Sequence, residues 1–304
     1  MENNKVQNTI NQYQGCLLGL ALGDALGAPY EGGPIERFVW KVVGKNSEGL
    51  PRWTDDTQMS IDVARILLKY KTIDQFELAN KFAHSYKWSR GYGPSTVRVL
   101  KAIKAGRDWK NASTRQFKDG SFGNGAAMRT PPIALFFHKD VNRLLDETRK
   151  AAVITHAHPL AIDGAIAISL AISSALKRNF DDSFWNDLNE HCNTTTFKKK
   201  LGLASAWLNN DLVSNQTVVQ KLGNGMSAQE SVITAIYIAM RFIHCEFEEL
   251  MKFIISLKGD VDTIGAMAGA IWGAYNGVNN MPNIPIEEKE YILQLASLIH
   301  EQKP

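Results

Sequence analysis

Cysteine is scarce: Cys16, Cys192 and Cys245 are the only three in 304 residues. An odd, widely spaced set without a CxxC pair excludes a disulfide-built scaffold and a thiolate zinc site. It fits buried thiols in a reducing, cytoplasmic setting. Charge of one sign is also missing. The formal net charge is only +3, so no basic field marks the chain as a nucleic-acid or membrane-surface binder. Long apolar runs are lacking: the stretch 165–176 is interrupted by serine and falls short of the ~18 residues of a membrane span. The first ten residues are polar, without the apolar centre of a signal peptide. Alternating apolar and polar segments are short and few, which argues against a sheet. No repeat, low-complexity linker or composition shift divides the chain, so residues 1–304 read as one domain with its core at about 12–282.

Helical rhythm dominates what is present. Met59, Val63, Ile66, Leu67 and Tyr70 repeat at helical spacing after Thr54, as do Ile264, Met267, Ala268, Ile271 and Tyr275 after Asp262. The stretches 161–176 and 231–243 read as apolar, buried helices. The expected fold is therefore all-α. The polar run 189–200, rich in Thr and Lys, is expected to be a surface loop. Glycine recurs every four residues at Gly15, Gly19, Gly23 and Gly27, and again at Gly265, Gly269 and Gly273. Each interior helical glycine costs ~1 kcal/mol against alanine. Such stripes make sense where another backbone must approach closely.

Two motifs stand just before apolar helices: Thr54-Asp55-Asp56-Thr57-Gln58 and Asp260-Val261-Asp262-Thr263. Either alone reads as helix capping, with Asp55 and Gln58 in capping-box spacing. Together they hold more carboxylates than capping requires. Two carboxylates ~4 Å apart repel by ~4 kcal/mol at an effective dielectric near 20, and a helix N-terminus offsets only ~0.3–1 kcal/mol. If the two helix starts converge, protonation or cations must supply the balance. All-oxygen donors select hard ions such as Mg²⁺, Mn²⁺ or Ca²⁺. The spacing alone does not show convergence. Glu31 follows the helix end marked by Gly27 and Pro29, and Asp24 reads as a structural acceptor at that end. The loop from Gly120 to Gly125 reads either as a turn or as a phosphate cradle. His156 and His158 read as hydrogen-bonding or core histidines, because an i, i+2 pair does not share a helix face.

The order of these motifs resembles the ADP-ribosylglycohydrolase family: Gly-Asp-Ala-Leu-Gly with Tyr30-Glu31, then Trp-Thr-Asp-Asp-Thr, Gly-Ser-Phe-Gly-Asn-Gly-Ala-Ala-Met-Arg, Thr-His-Ala, and Gly-Asp-Val-Asp-Thr-Ile-Gly. The resemblance implies a compact single-domain helical orthogonal bundle with a binuclear metal cleft holding two Mg²⁺ or Mn²⁺ ions. It implies Thr54, Asp55, Asp56, Asp260, Asp262 and Thr263 as metal ligands, with Asp262 between both ions. It implies Glu31, Asp55, Asp56 and Asp262 as catalytic residues. For substrate it implies Gly120, Ser121, Gly123 and Asn124 around the diphosphate and ribose, with His156 on the same side. Phe117 and Phe122 would stand near the adenosine, and Gly91, Tyr92 and Gly93 would form another wall. The expected partner is an ADP-ribosylated protein or ADP-ribose conjugate, with no membrane and no direct nucleic-acid role.

Within the resemblance, the segment Gly223 to Tyr237 and Glu31 lean toward the branch acting on O-linked ADP-ribose: serine, O-acetyl-ADP-ribose or poly(ADP-ribose). An arginine-specific hydrolase or an inactive ADP-ribose-binding relative is the alternative inside the family. A metal-dependent phosphoesterase is the alternative outside it.

Overall fold

The computed structural model describes residues 2–114, 119–209 and 213–304. The first half contains α1 (Glu2–Gly27), α2 (Pro34–Val43), α3 (Asp55–Tyr70), α4 (Gln75–Ser85), α5 (Pro94–Lys104), α6 (Trp109–Thr114), α7 (Pro131–Phe137) and α8 (Val141–Ala152). The second contains α9 (Pro159–Lys177), α10 (Asp182–His191), α11 (Thr195–Asn209), α12 (Asn215–Lys221), α13 (Ala228–Arg241), α14 (Phe247–Leu257), α15 (Val261–Asn276) and α16 (Lys289–Gln302). Among the described residues there is no strand, only isolated bridges pairing Lys45 with Pro51 and Gly123 with Ser227. The all-α expectation therefore holds.

The two glycine stripes meet. A β-carbon on Gly15 would lie 2.4 Å from the carbonyl oxygen of Gly273, one on Gly19 2.1 Å from that of Gly269, and one on Gly23 2.0 Å from that of Gly265. The pairing runs in opposite senses, so α1 and α15 are antiparallel and touch backbone to backbone. No residue with a side chain fits there, which accounts for glycines that cost helix propensity. Around this pair, α9 and α13 pack against α15, while α16, α3 and α7 pack against α1. The core buries Tyr13, Trp53, Phe82, Phe136, Tyr237 and Trp272. At ~1.5–3 kcal/mol for each large apolar side chain, this burial is the main favourable term of the fold.

Helix ends follow local chemistry. Proline opens α5, α7 and α9, where its missing N–H costs nothing. The αL residue Lys71 closes α3, and Gly277 at φ 82° follows α15. His158 caps α9 by accepting from the backbone N–H of Leu160 at 3.1 Å, the hydrogen-bonding role expected of it. The 19-residue α9 holds an 18-residue window of mean hydropathy 1.7 and passes for a membrane span by length and composition alone, but 72% of that window is buried inside the protein.

One sequence expectation fails. The run 189–200 is not a loop: α10 extends through its start, α11 begins at Thr195, and only residues 192–194 lie between. The Asp163 carboxylate turns the chain there, accepting from Asn193 N–H at 3.0 Å and Thr194 N–H at 2.7 Å. Cys192 and Phe197 then bury on either side of the turn. Polar composition hid an anchor supplied from another helix.

Candidate active site

The antiparallel contact of α1 and α15 brings the end of one helix to the start of the other. A β-carbon on Gly27 would lie 2.5 Å from Asp262 Cα. Asp24, one turn earlier on α1, is fully buried and reaches across to α3. Its carboxylate accepts from Thr54 N–H at 2.8 Å, Thr57 N–H at 3.1 Å and the Thr57 hydroxyl at 2.6 Å. The first turn of α3 is thereby tied to α1, and α1 to α15. The structural role expected of Asp24 is what the contacts describe.

Thr54, not Asp55, caps α3: its hydroxyl accepts from Asp56 N–H at 3.3 Å. The two aspartates are thus released from capping. Asp56 is buried and its Oδ2 has no hydrogen-bond partner among the described residues. Its Oδ1 accepts from the Thr263 hydroxyl at 3.4 Å. Asp262 Oδ1 accepts from Thr263 N–H at 2.9 Å. Asn124 Nδ2 donates to Asp260 Oδ2 at 2.5 Å and to Ser231 Oγ at 3.0 Å, so Asn124 orients a carboxylate as well as lining the cleft.

Two groups of carboxylates result, Asp24 with Asp56 and Asp262, and Glu31 with Asp260 and Asp262. Within each, one oxygen from every residue lies within 4.8 Å of the others, and Asp262 belongs to both. Burial pushes the carboxyls of Asp55, Asp56 and Asp262 well above the ordinary range, and the neighbouring carboxylates push them further. Asp260 is raised by burial as well, opposed by its hydrogen bonds to Asn124, Asp262 and Thr263. Asp24 is pushed up to about 6 by burial, despite hydrogen bonds that act the other way. Such a cluster is costly while its charges stand unbalanced. An orphaned carboxylate oxygen and an all-oxygen donor set are what a hard divalent cation would satisfy.

The cluster forms the floor of a cavity of about 170 Å³. Glu31, Asp55, Asp56, Gly91, Gly93, Ser121, Gly123, Asn124, His156, Asp260, Asp262 and Thr263 all reach its wall. The other expected residues do not line it. Thr54 is buried beneath, as the α3 cap. Tyr92 is buried with its ring edge-on to Tyr86. A β-carbon on Gly120, at φ 81°, would lie 2.7 Å from Ala157 Cβ and 2.8 Å from His158 N, and Phe122 is half-exposed with its ring edge-on to His158. Phe117 falls outside the described residues. In the glycine loop, the Gly123 N–H is taken by Ser121 Oγ at 3.3 Å and the Asn124 N–H by the carbonyl of Met226 at 3.0 Å. Those two amides are therefore held within the protein, and the loop presents the Ser121 side chain and bare glycine surface to the cavity.

His156 is held behind that loop. Its Nδ1 lies 2.7 Å from Thr155 Oγ1, and a β-carbon on Gly125 would come within 2.7 Å of its ring. Burial, aided by the nearby Arg129, pushes its imidazole down to about 3, so it is neutral at neutral pH. Arg129 is itself fully buried, donating to the Gly125 and Ala151 carbonyls at 2.9 Å each.

Sequence reasoning missed Pro94, Ser95, Thr96, Met128 and Met226 in the wall. Gly93-Pro94 signals a helix start, which makes Ser95 and Thr96 legible as polar groups at a helix N-terminus. Met226 carries no such signal, because only its long-range bridge to the glycine loop brings it there.

This architecture and acidic cleft define a class. The sequence profile of the ADP-ribosylglycohydrolase family matches residues 5–304. The chain belongs to that family and is a glycosidic-bond hydrolase acting on ADP-ribosylated substrates. It is 34% identical to the ADP-ribosylhydrolase ARH3 of Mus musculus, covering 90% of this chain and 86% of that protein. It is 32% identical to the ADP-ribosylhydrolase ARH3 of Gallus gallus, covering 95% and 93%. A solved structure described as an ADP-ribosylglycohydrolase-related protein complex superimposes with a TM-score of 0.66 at 26% identity, over 98% of this chain and all of that one.

Proposed function

We propose that this protein releases ADP-ribose from O-linked acceptors, using two Mg²⁺ or Mn²⁺ ions held in the acidic cleft. The observation that carries the metal reading is the buried Asp262, within reach of Asp56 on one side and of Asp260 and Glu31 on the other, beside the unpartnered Oδ2 of Asp56. Thr54, Asp55, Asp56, Asp260, Asp262 and Thr263 are the proposed ligands, with Glu31 at the rim. Asp24 stays with the start of α3, since its oxygens already accept from the Thr54 and Thr57 N–H groups and the Thr57 hydroxyl. Bound there, such ions supply Lewis-acid polarisation and activation of water.

The remaining work falls to the chain's own residues. Breaking the anomeric bond places positive, oxocarbenium-like charge on the ribose. Glu31, Asp55 and Asp56 face the cavity and favour that charge. Ser121 and the neutral His156 offer uncharged hydrogen-bonding groups to the sugar and diphosphate. Gly91, Gly93 and Gly123 keep side chains out of the ligand's path. The substrate is an ADP-ribosylated protein or small conjugate, acted on in the cytoplasm.

The O-linked preference rests on the resemblance of the segment Gly223 to Tyr237 and of Glu31 to the O-linked branch, with Glu31 facing the cavity. The deciding experiment supplies serine-modified and arginine-modified proteins at equal concentration, with Mg²⁺ and with Mn²⁺, and measures free ADP-ribose. Faster release from serine is expected. Faster release from arginine overturns the acceptor assignment alone. Release of a nucleotide in place of intact ADP-ribose overturns the bond assignment.

A further inference from the structure

A second cavity opens at the other end of α1. It has a volume of about 410 Å³ and is lined by Thr9, Gln12, His138, Lys139, Leu176, Lys177, His300 and Lys303. Gln12 at this cavity and Asp24 at the cleft are separated by about 18 Å of helix at the usual rise per residue. The two sites are distinct. Three ammonium groups and two imidazoles come from three separate parts of the chain, and among the described residues no carboxylate lines the wall.

We propose that this cavity is a binding site for a phosphate-type anion. Lysines gathered where helices end have a simpler use, which is to meet the carbonyls of the last turn. Here that need is met by uncharged donors. The Tyr13 hydroxyl donates to the Leu135 carbonyl at 2.6 Å, and Gln12 Nε2 donates to the Leu176 carbonyl at 3.1 Å. Ser173 Oγ donates to the His138 carbonyl at 3.2 Å. Among the described residues only Lys303 of the three is used this way, donating to the His300 carbonyl at 2.9 Å. None of Lys139, Lys177 and Lys303 forms an ion pair among the described residues.

The site is also built on its inner side. His138 is buried, with Nδ1 3.2 Å from the Tyr13 hydroxyl, and Tyr13 presents ring edges or faces to His138, His300 and Lys303. The cations sense one another. Burial lowers the Lys303 ammonium to about 8, with Lys139 adding to the effect. Burial likewise lowers His138 to about 4 and also lowers His300, with Lys303 and Lys139 contributing to both. An anion entering here would relieve the repulsion between Lys303 and Lys139 and accept charge-assisted hydrogen bonds from the ammonium groups, with the imidazoles neutral beside it. A small, compact and multiply charged oxyanion fits this chemistry better than a carboxylate, because the donors converge from several sides.

The test titrates inorganic phosphate into the full chain by calorimetry, with ADP-ribose present to fill the catalytic cleft and ionic strength held constant with sodium chloride. Saturable binding of one phosphate per chain is expected. In a Lys139→Ala/Lys177→Ala variant the affinity should fall about tenfold or more, since two charge-assisted contacts are removed. Both side chains are exposed, so the variant should keep its helical circular dichroism; Lys177→Glu provides a second, charge-reversing check. Asp262→Asn should bind phosphate at this site as the parent does. Absence of saturable binding in the parent, or equal binding by the lysine variants, overturns the proposal.

Discussion

Gly23 and Gly265 touch through their backbones: a β-carbon on Gly23 would sit 2.0 Å from the carbonyl oxygen of Gly265. The contact lies one residue from Asp24 and three from Asp262, so the closest approach of the two central helices is also the foundation of the acidic cleft.

Gly23→Ala should therefore destabilise the protein by ~3 kcal/mol or more, beyond ordinary overpacking, because backbone on both sides cannot yield as a side chain does. Gly202→Ala is the control. Its added β-carbon meets nothing within 4 Å, and in the interior of α11 it should stabilise by ~0.4–1 kcal/mol. Denaturant unfolding of both variants checks this; similar midpoints would contradict the close packing.

Turnover should depend on a hard divalent cation. Treatment with a chelator is expected to abolish release of ADP-ribose, and Mg²⁺ or Mn²⁺ to restore it. Undiminished activity in chelated, metal-free enzyme would remove the metal reading and leave the family assignment intact.

Asp262→Asn and Asp55→Asn should each lose metal while the fold persists. The sign of the pH effect follows from the raised carboxyls. A native carboxyl above its ordinary value binds protons that the unfolded chain has released, so stability falls as pH rises through that window. For Asp24 the window runs from 3.8 to about 6, and Asp55, Asp56 and Asp262 are shifted in the same direction by burial and neighbouring carboxylates. The metal-free parent should thus show a thermal midpoint that declines across this range, and Asp262→Asn should flatten the decline. Metal content measured beside the midpoint decides it: two ions in both variants would refute the ligand assignment.

His156 gives the opposite sign. Its imidazole is held down near 3 by burial, so the unfolded chain binds the extra proton and stability is lost as pH falls from about 6.5 toward 3. The expected slope from this one group is about 1.4 kcal/mol per pH unit inside the window. His156→Asn should reduce the acid sensitivity of unfolding measured in denaturant. An unchanged slope would mean the ring is protonated or solvated in the native protein.

Much of this protein was written locally. The rhythm of Met59, Val63, Ile66 and Leu67 determined a helix, because a 3.6-residue period leaves little else for those side chains to do. The glycines at 15, 19, 23 and 27 announced a close backbone contact through their own cost. The doubled aspartates at 55 and 56 and at 260 and 262 held more carboxylates than helix capping requires. What the sequence did not contain was the meeting of these features. Only the antiparallel contact of α1 with α15 places Gly27 against Asp262, and only Asp24 reaching to Thr54 and Thr57 brings α3 to the same point. The same holds for Met226 in the cleft wall, for Asp163 turning the chain after Cys192, and for the lysines gathered around Gln12. Each depends on contacts between residues tens to hundreds of positions apart. Such contacts are set by how whole helix faces pack, and no local spacing records them.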